Sequence, residues 1–182
     1  MKRTRVRIAL AAAAVGVLGV AGAGTIALAS DGNDRERLTG YEEVPAISTL
    51  GTGEFRSSIS RTKDEIRWTL TFSDLETDAT QAHIHFENAT NNGPIVVFLC
   101  TNLGNGPAGT QACPTGGGTI RGTIRPADVG AGAAGAGIAA GEFAEFVRAV
   151  RAGSTYVNVH SVGRPGGEIR AQLGDEHDHR HG

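Results

Sequence analysis

The feature that most constrains this chain is the strict alternation of apolar and polar residues in IRWTLTFSDL, residues 66–75. Ile66, Trp68, Leu70 and Phe72 fall on one side of an extended chain, and the residues between them are charged or hydroxylated. A period of two is typical of a β-strand that has one face in the core and the other toward solvent. The segment therefore predicts an antiparallel sheet.

Other segments also have the apolar content and the flanking turn residues of strands: residues 51–60, 82–86, 94–100, 116–124, 154–160 and 167–173. The segment PIVVFLC, residues 94–100, is continuously apolar, which predicts a central strand covered on both faces. Residues 140–153 predict the single helix, because four apolar residues recur there at helical spacing before Gly153. The Ala/Gly-rich residues 127–137 predict a loose loop.

These elements predict an all-β fold. The two architectures that fit are an immunoglobulin-like antiparallel sandwich and a Greek-key barrel, in either case with one short helix before the last two strands.

The first 29 residues predict a secretory signal peptide. MKRTRVR places four basic residues ahead of an uncharged run that ends in ALAS, where Ala27 and Ala29 are small enough for a cleavage site. We expect residues 30–37 to form a linker and residues 38–173 to form the domain. A retained membrane anchor is the alternative, because the uncharged run is long enough to span a bilayer.

Charge limits the partners that this chain can have. The chain has 17 Lys+Arg and 19 Asp+Glu, and removal of the four basic residues of the signal leaves 13 against 19. An acidic domain whose sequence shows no basic stripe binds phosphate backbones poorly, so we expect no nucleic acid partner. We expect a secreted protein, extracellular or in the cell envelope, with no membrane contact after cleavage. Its partner and oligomeric state are not indicated.

The two cysteines, Cys100 and Cys113, predict a disulfide. An oxidising compartment permits the bond, and the residues between the cysteines form a polar, Gly/Pro-rich loop rather than core. Closing such a short loop stabilises a domain by about 3 kcal/mol on the chain-entropy model.

Three histidines fall on the polar sides of predicted strands. In AHIHF, His83 and His85 share the face opposite Ile84, and in STYVNVH the residues Tyr156 and His160 share one face with Asn158. Residues i and i+2 of a strand lie about 7 Å apart, so His83 and His85 can meet His160 from a neighbouring strand.

Three stretches together carry a resemblance to a known family: LTGYEEVPAISTLGTGEF, AHIHFENATNNGPIVVFL and GSTYVNVHSVGRPGGEIRAQL. In this order and spacing they resemble the CHRD domain, the module named after chordin, over residues 38–173. The resemblance implies an immunoglobulin-like all-β barrel or sandwich that is secreted and has no well-established enzymatic activity.

The His-x-His strand and the later Val-x-Val-His are also similar to the copper-binding strands of Cu/Zn superoxide dismutases. That resemblance implies copper or zinc held by His83, His85 and His160, with redox or dismutase-like activity. Residues 86–98 lack the further histidines and the aspartate with which those enzymes bind zinc, so a two-metal dismutase is not expected.

The alternative is a purely structural cluster, in which the three histidines exchange hydrogen bonds with loop backbone and with a set of polar neighbours: Asn158, Glu168 and Arg170. We expect the structural cluster, with Glu168 and Arg170 as an ion pair, and we keep the copper or zinc site as the less favoured possibility. No catalytic residue and no bound cofactor are expected. The protein is then a non-catalytic binding or structural module.

The C-terminal segment GDEHDHRHG, residues 174–182, is a separate signal. His177, His179 and His181 alternate there with acidic residues. Short His-rich tracts bind transition metals, so this tail is either a weak site for copper, zinc or nickel or a solvated, disordered terminus.

Overall fold

The computed structural model describes residues 33–174. Within them the chain forms eight strands, named β1 to β8, which span Asn33–Thr39, Thr52–Ile59, Ile66–Ser73, Ala79–Phe86, Ile95–Thr101, Gly118–Ile124, Thr155–Ser161 and Ile169–Leu173. One α-helix, α1, spans Phe143–Arg151, and three short 3-10 helices span Gly40–Glu42, Pro126–Asp128 and Ala131–Ala136. The expected signal peptide and the histidines of the tail lie outside the described residues.

The eight strands form one antiparallel sheet in the order β5-β4-β7-β8-β1-β2-β3-β6. The sheet curls into a nearly closed barrel whose two edges are β5 and β6. The Gln111 side-chain amide spans this seam, since it donates to the backbone oxygens of Leu99 in β5 and Arg121 in β6. The predicted all-β antiparallel class is confirmed, and the barrel is the architecture adopted.

The barrel interior is filled by the apolar half of each alternating strand. In β3, Ile66, Trp68, Leu70 and Phe72 are buried, as the period of two predicted. An eight-stranded barrel is just wide enough for side chains to fill its interior. The polar residues that alternate with these apolar residues in β3 point outward.

The predicted helix is confirmed as α1. Its apolar stripe, which contains Phe143, Phe146, Val147 and Val150, joins the hydrophobic core. The chain leaves the helix through Gly153, whose φ of 66° suits a residue without a Cβ atom.

Three local predictions are corrected by the structure. Residues 33–37, which we expected to be linker, form part of β1, because their backbone pairs with β2. The apolar strand β5 lies at an edge of the sheet instead of its centre. The Ala/Gly-rich segment, which we expected to be a loose loop, forms two 3-10 turns that pack Val129 and Ala133 into the core. This segment also covers β5, because the Gly130 N–H donates to the Val96 carbonyl.

The predicted disulfide between Cys100 and Cys113 is confirmed, with a Cα–Cα distance of 5.1 Å. It fastens β5 to the loop that leads into β6, beside the barrel seam. None of the helices within residues 33–174 is both long and apolar enough to cross a membrane.

Candidate metal centre

The outward side chains of β4, β7 and β8 form two rows across the three strands. His85, Tyr156 and Gln172 stand opposite one another in one row, and His83, Asn158 and Arg170 do so in the next. We call this surface the covered face, and its residues are His83, His85, Tyr156, Asn158, His160, Arg170 and Gln172.

Loops cover this face and keep it from solvent. The loop of residues 87–94 is held by Arg170, which donates to the carbonyls of Asn88 and Asn91, and by Gln172, which donates to the carbonyl of Glu87. A second loop, residues 40–51, is joined to the first by the bond from Asn92 Nδ2 to Val44 O, 2.7 Å long. The third, residues 162–168, reaches the face through Pro165. The first and third loops bring backbone carbonyls to the face.

A stack of planar groups runs across the covered face. The guanidinium of Arg170 lies 3.4 Å above the centroid of the Tyr156 ring. The Tyr156 ring in turn lies parallel to the His85 ring, with centroids 4.7 Å apart. The Tyr156 hydroxyl accepts from the Gly93 N–H, so the same residue also anchors the first loop. Arg170 is 1% exposed, which makes it one of the most deeply buried charged groups in the fold.

His83 and His85 of β4 meet His160 of β7 beneath the loops. The three side chains are 0%, 7% and 6% exposed, respectively. Each can offer one ring nitrogen such that all three nitrogens lie within 4.8 Å of one another. The convergence expected from the alternation is therefore present, and all three residues are buried.

Hydrogen bonding determines which nitrogen of His85 carries its proton. His85 Nδ1 lies 2.8 Å from the carbonyl oxygen of Gly93, and a carbonyl can only accept, so Nδ1 donates. Burial lowers the pKa of His85 to about 4, so its imidazole is neutral at pH 7. The remaining nitrogen, Nε2, then holds a lone pair, and it is buried without a hydrogen-bond partner among the described residues.

A neutral His160 has one N–H but an oxygen acceptor at each of its two ring nitrogens. Its Nδ1 is 2.9 Å from Pro165 O and its Nε2 is 3.1 Å from Asn158 Oδ1, so both nitrogens face oxygen acceptors. Burial lowers the pKa of His160, which favours the neutral form with a single N–H. When that N–H is on Nδ1, two lone pairs face one another at Asn158.

His83 completes the cluster. Its Nδ1 is 3.2 Å from His160 Nε2, and its ring also packs edge-on against Phe98. Burial lowers the pKa of His83 to about 2, helped by the charges of His160 and His85. With Nδ1 donating to His160, the buried Nε2 of His83 is a second lone pair without a partner in the described structure.

Glu43, from the second loop, orients the amide of Asn158. Burial raises the pKa of Glu43 to about 7, against the opposing effects of Arg170 and of a hydrogen bond from Asn158. The Asn158 amide nitrogen lies near this carboxyl group, and the Asn158 oxygen faces His160. Asn158 therefore presents an acceptor oxygen to His160 Nε2.

Neutral imidazoles with free lone pairs are ligands for zinc and copper. In metal sites the second ring nitrogen usually donates to a backbone carbonyl, which is what Gly93 and Pro165 provide for His85 and His160. Bonds of 2.0–2.1 Å to one ion would bring the three nitrogens to roughly 3.4 Å apart, so the side chains would have to draw together by an ångström or so.

The polar neighbours expected around the histidines have separate roles. Asn158 contacts His160, as expected. The expected ion pair between Glu168 and Arg170 is replaced by other contacts: Glu168 accepts from Thr49 and Ser161, and Arg170 binds loop carbonyls. The two side chains have different surroundings because Glu168 precedes β8, whereas Arg170 lies within β8 beneath the loop of residues 87–94.

Sequence reasoning missed Glu43, and no local pattern in the sequence marks that residue. It placed Tyr156 on the face of His160 but did not foresee the stack on His85, since strand pairing between β4 and β7 sets that contact.

The fold and the site together define a class of protein: a nearly closed antiparallel barrel with a histidine cluster under its loops. Comparison with protein-family models matches the CHRD domain over residues 35–173, and the chain belongs to this family. Neither the curated proteins nor the solved structures contain a match to this chain.

Proposed function

We propose that this CHRD protein is a non-catalytic module that works outside the cytoplasm and binds one copper or zinc ion through His83, His85 and His160. The CHRD domain suggests a binding or structural role and occurs in extracellular proteins. The disulfide between Cys100 and Cys113 suits an oxidising compartment.

One observation carries the metal proposal: His83 Nε2 and His85 Nε2 are buried acceptors without donors among the described residues. A cluster kept only for its hydrogen bonds would be expected to satisfy these atoms, because an unpaired buried polar group costs roughly 1–3 kcal/mol. A cation bound by one nitrogen of each ring would take up such lone pairs. At His160 it would replace both the hydrogen bond from His83 Nδ1 and the unfavourable contact of Nε2 with Asn158 Oδ1.

The test is metal stoichiometry in a protein whose tail cannot contribute. His177, His179 and His181 are replaced by Asn in the mature chain, and the protein is dialysed against copper or zinc before elemental analysis. We expect one ion per chain. His83→Ala in the same background should bind none.

Gln172→Ala is the matched control, because Gln172 lies on the covered face and holds the loop of residues 87–94 but offers no imidazole. It should keep the ion. Metal-free wild type after dialysis, or equal loss in both variants, would instead favour the structural cluster.

A further inference from the structure

The outward side chains of β1, β2, β3 and β6 form a second surface, which we call the open face because no loop within residues 33–174 covers its arginines. Arg35, Arg56, Thr69 and Arg121 stand opposite one another in one row across the four strands. Arg37 lies in the adjoining row, and Arg67 lies in the row on the other side. All five arginines are exposed.

This charge is concentrated on a chain that is acidic as a whole, with 17 Lys+Arg against 19 Asp+Glu. Glu54 is the one carboxylate in these rows, and it pairs with Arg35 and Arg56. Arg67 pairs with Glu65, 3.2 Å away, in the turn before β3. Within residues 33–174, Arg37 and Arg121 have no ion-pair partner. The open face thus has a net positive charge.

Neighbouring strands lie about 4.8 Å apart, so the row from Arg35 to Arg121 spans roughly 14 Å. The remaining outward positions carry hydroxyl groups, including Thr71 and Thr119, whose oxygens are 2.9 Å apart. A shallow depression of about 480 Å³ opens beside Arg37 and Ser73. Guanidinium groups at fixed spacing, mixed with hydroxyl groups, fit a chain of repeated anionic groups and sugar hydroxyls.

We propose that the open face binds an anionic polysaccharide, with sulfate or carboxylate groups held by Arg35, Arg37, Arg56 and Arg121. Nucleic acid fits the face less well. Single strands are bound by exposed aromatic rings that stack on bases, and the alternating rows carry none. Duplex grooves are read by a helix or a narrow ribbon, whereas this face is broad.

The test uses heparin, a sulfated polysaccharide, and measures its dissociation constant for the full mature chain by calorimetry at several salt concentrations. Counterion release should make the affinity fall steeply as salt rises. Arg37→Gln with Arg121→Gln should weaken binding by about tenfold and reduce the salt slope by about two, one for each arginine.

Two matched variants separate this face from net charge. Arg151→Gln with Arg164→Gln removes the same charge from helix α1 and from the loop of residues 162–168, and it should change affinity less than about twofold. Glu54→Gln frees two arginines and should strengthen binding by about threefold, a gain that misfolding cannot produce.

Polyuronate in place of heparin distinguishes carboxylate from sulfate as the recognised group, and binding to either supports the proposal. Failure of heparin and polyuronate to bind at low salt would overturn it. Equal weakening by the two double variants would also overturn it, and so would tighter binding to duplex DNA than to heparin at the same salt concentration.

Discussion

The covered face and the open face have the same alternating sequence pattern but differ in their exposure to solvent. Each is the polar half of alternating strands on the outside of one barrel. On β4, β7 and β8 the polar residues lie beneath three loops, and burial lowers the pKa values of their histidines. On β1, β2, β3 and β6 the polar residues meet solvent. The period of two shows which residues share a face, but the loops determine whether that face is buried or exposed to solvent.

The difference is sharpest for arginine. Arg170 is buried, stacks on Tyr156 and donates to carbonyls of the loop of residues 87–94, whereas Arg121 is exposed. Arg170→Ala should lower the free energy of unfolding by about 3–5 kcal/mol, because it strands several buried acceptors. Arg121→Ala should change it by less than about 0.5 kcal/mol. Urea denaturation of both variants measures this, and similar losses for the two would contradict the contrast.

The seam between β5 and β6 is where the two halves of the barrel meet. Replacing Cys100 and Cys113 by Ala removes the disulfide beside it and should cost about 3 kcal/mol, because the closed loop spans 13 residues. Denaturation of oxidised and reduced wild type should show the same difference. An unchanged midpoint on reduction would mean that Gln111 and the core hold the seam without the bond.

Acid should destabilise the covered face in metal-free protein. The folded pKa values of His85 and His83 are about 4 and about 2, below the usual 6.5, so the unfolded chain takes up protons that the folded chain refuses. Their contribution is complete above pH 6.5, and it is lost as the pH falls toward 4 for His85 and toward 2 for His83. Each histidine adds a slope of about 1.4 kcal/mol per pH unit.

Glu43 should act in the opposite direction. Its folded pKa, raised by burial to about 7, means that its contribution is present below pH 4.5 and is lost as the pH rises through 7. Glu43→Gln should therefore make the free energy of unfolding fall more steeply as the pH drops from 6.5 to 4.5, by a slope that corresponds to about one proton. Denaturation with chelator at several pH values checks the slope. A flat profile would show that the histidines are not neutral in the fold.

The smallest effect belongs to the open face. Arg37→Gln with Arg121→Gln should leave the melting temperature within about a degree of wild type, since these side chains have no ion-pair partner among the described residues. A loss of several degrees would mean that they stabilise the fold and do not serve binding alone.

The sequence contained much of this fold. Alternation placed Ile66 and Phe72 in the core and placed His83, His85 and His160 on outward faces that meet, and helical spacing identified α1. The pairing of a strand with its neighbour depends on segments that are distant in the sequence. The edge position of β5, the stack of Arg170 on Tyr156 and the row from Arg35 to Arg121 depend on which strands lie side by side, and residue patterns within one strand do not specify that order.

The burial of the histidine cluster could not be predicted from the sequence for the same reason. Gly93 and Pro165 supply backbone oxygens, which any residue type could supply, and Glu43 arrives from a loop far away in sequence. The metal proposal depends on His83 Nε2 and His85 Nε2, which have no hydrogen-bond partner among the described residues, and these atoms are buried only once the loops are in place.

The most direct test of the metal centre is a set of melting curves for wild type and His85→Ala, both with the tail histidines replaced, in chelator and with equimolar copper or zinc. A ligand that binds only the folded form stabilises it by about 2.7 kcal/mol at a free concentration near 100 times Kd. We predict that metal raises the wild-type melting temperature by several degrees and leaves the variant unchanged. Equal destabilisation of His85→Ala in chelator and in metal, with no gain for the wild type, would contradict the metal centre.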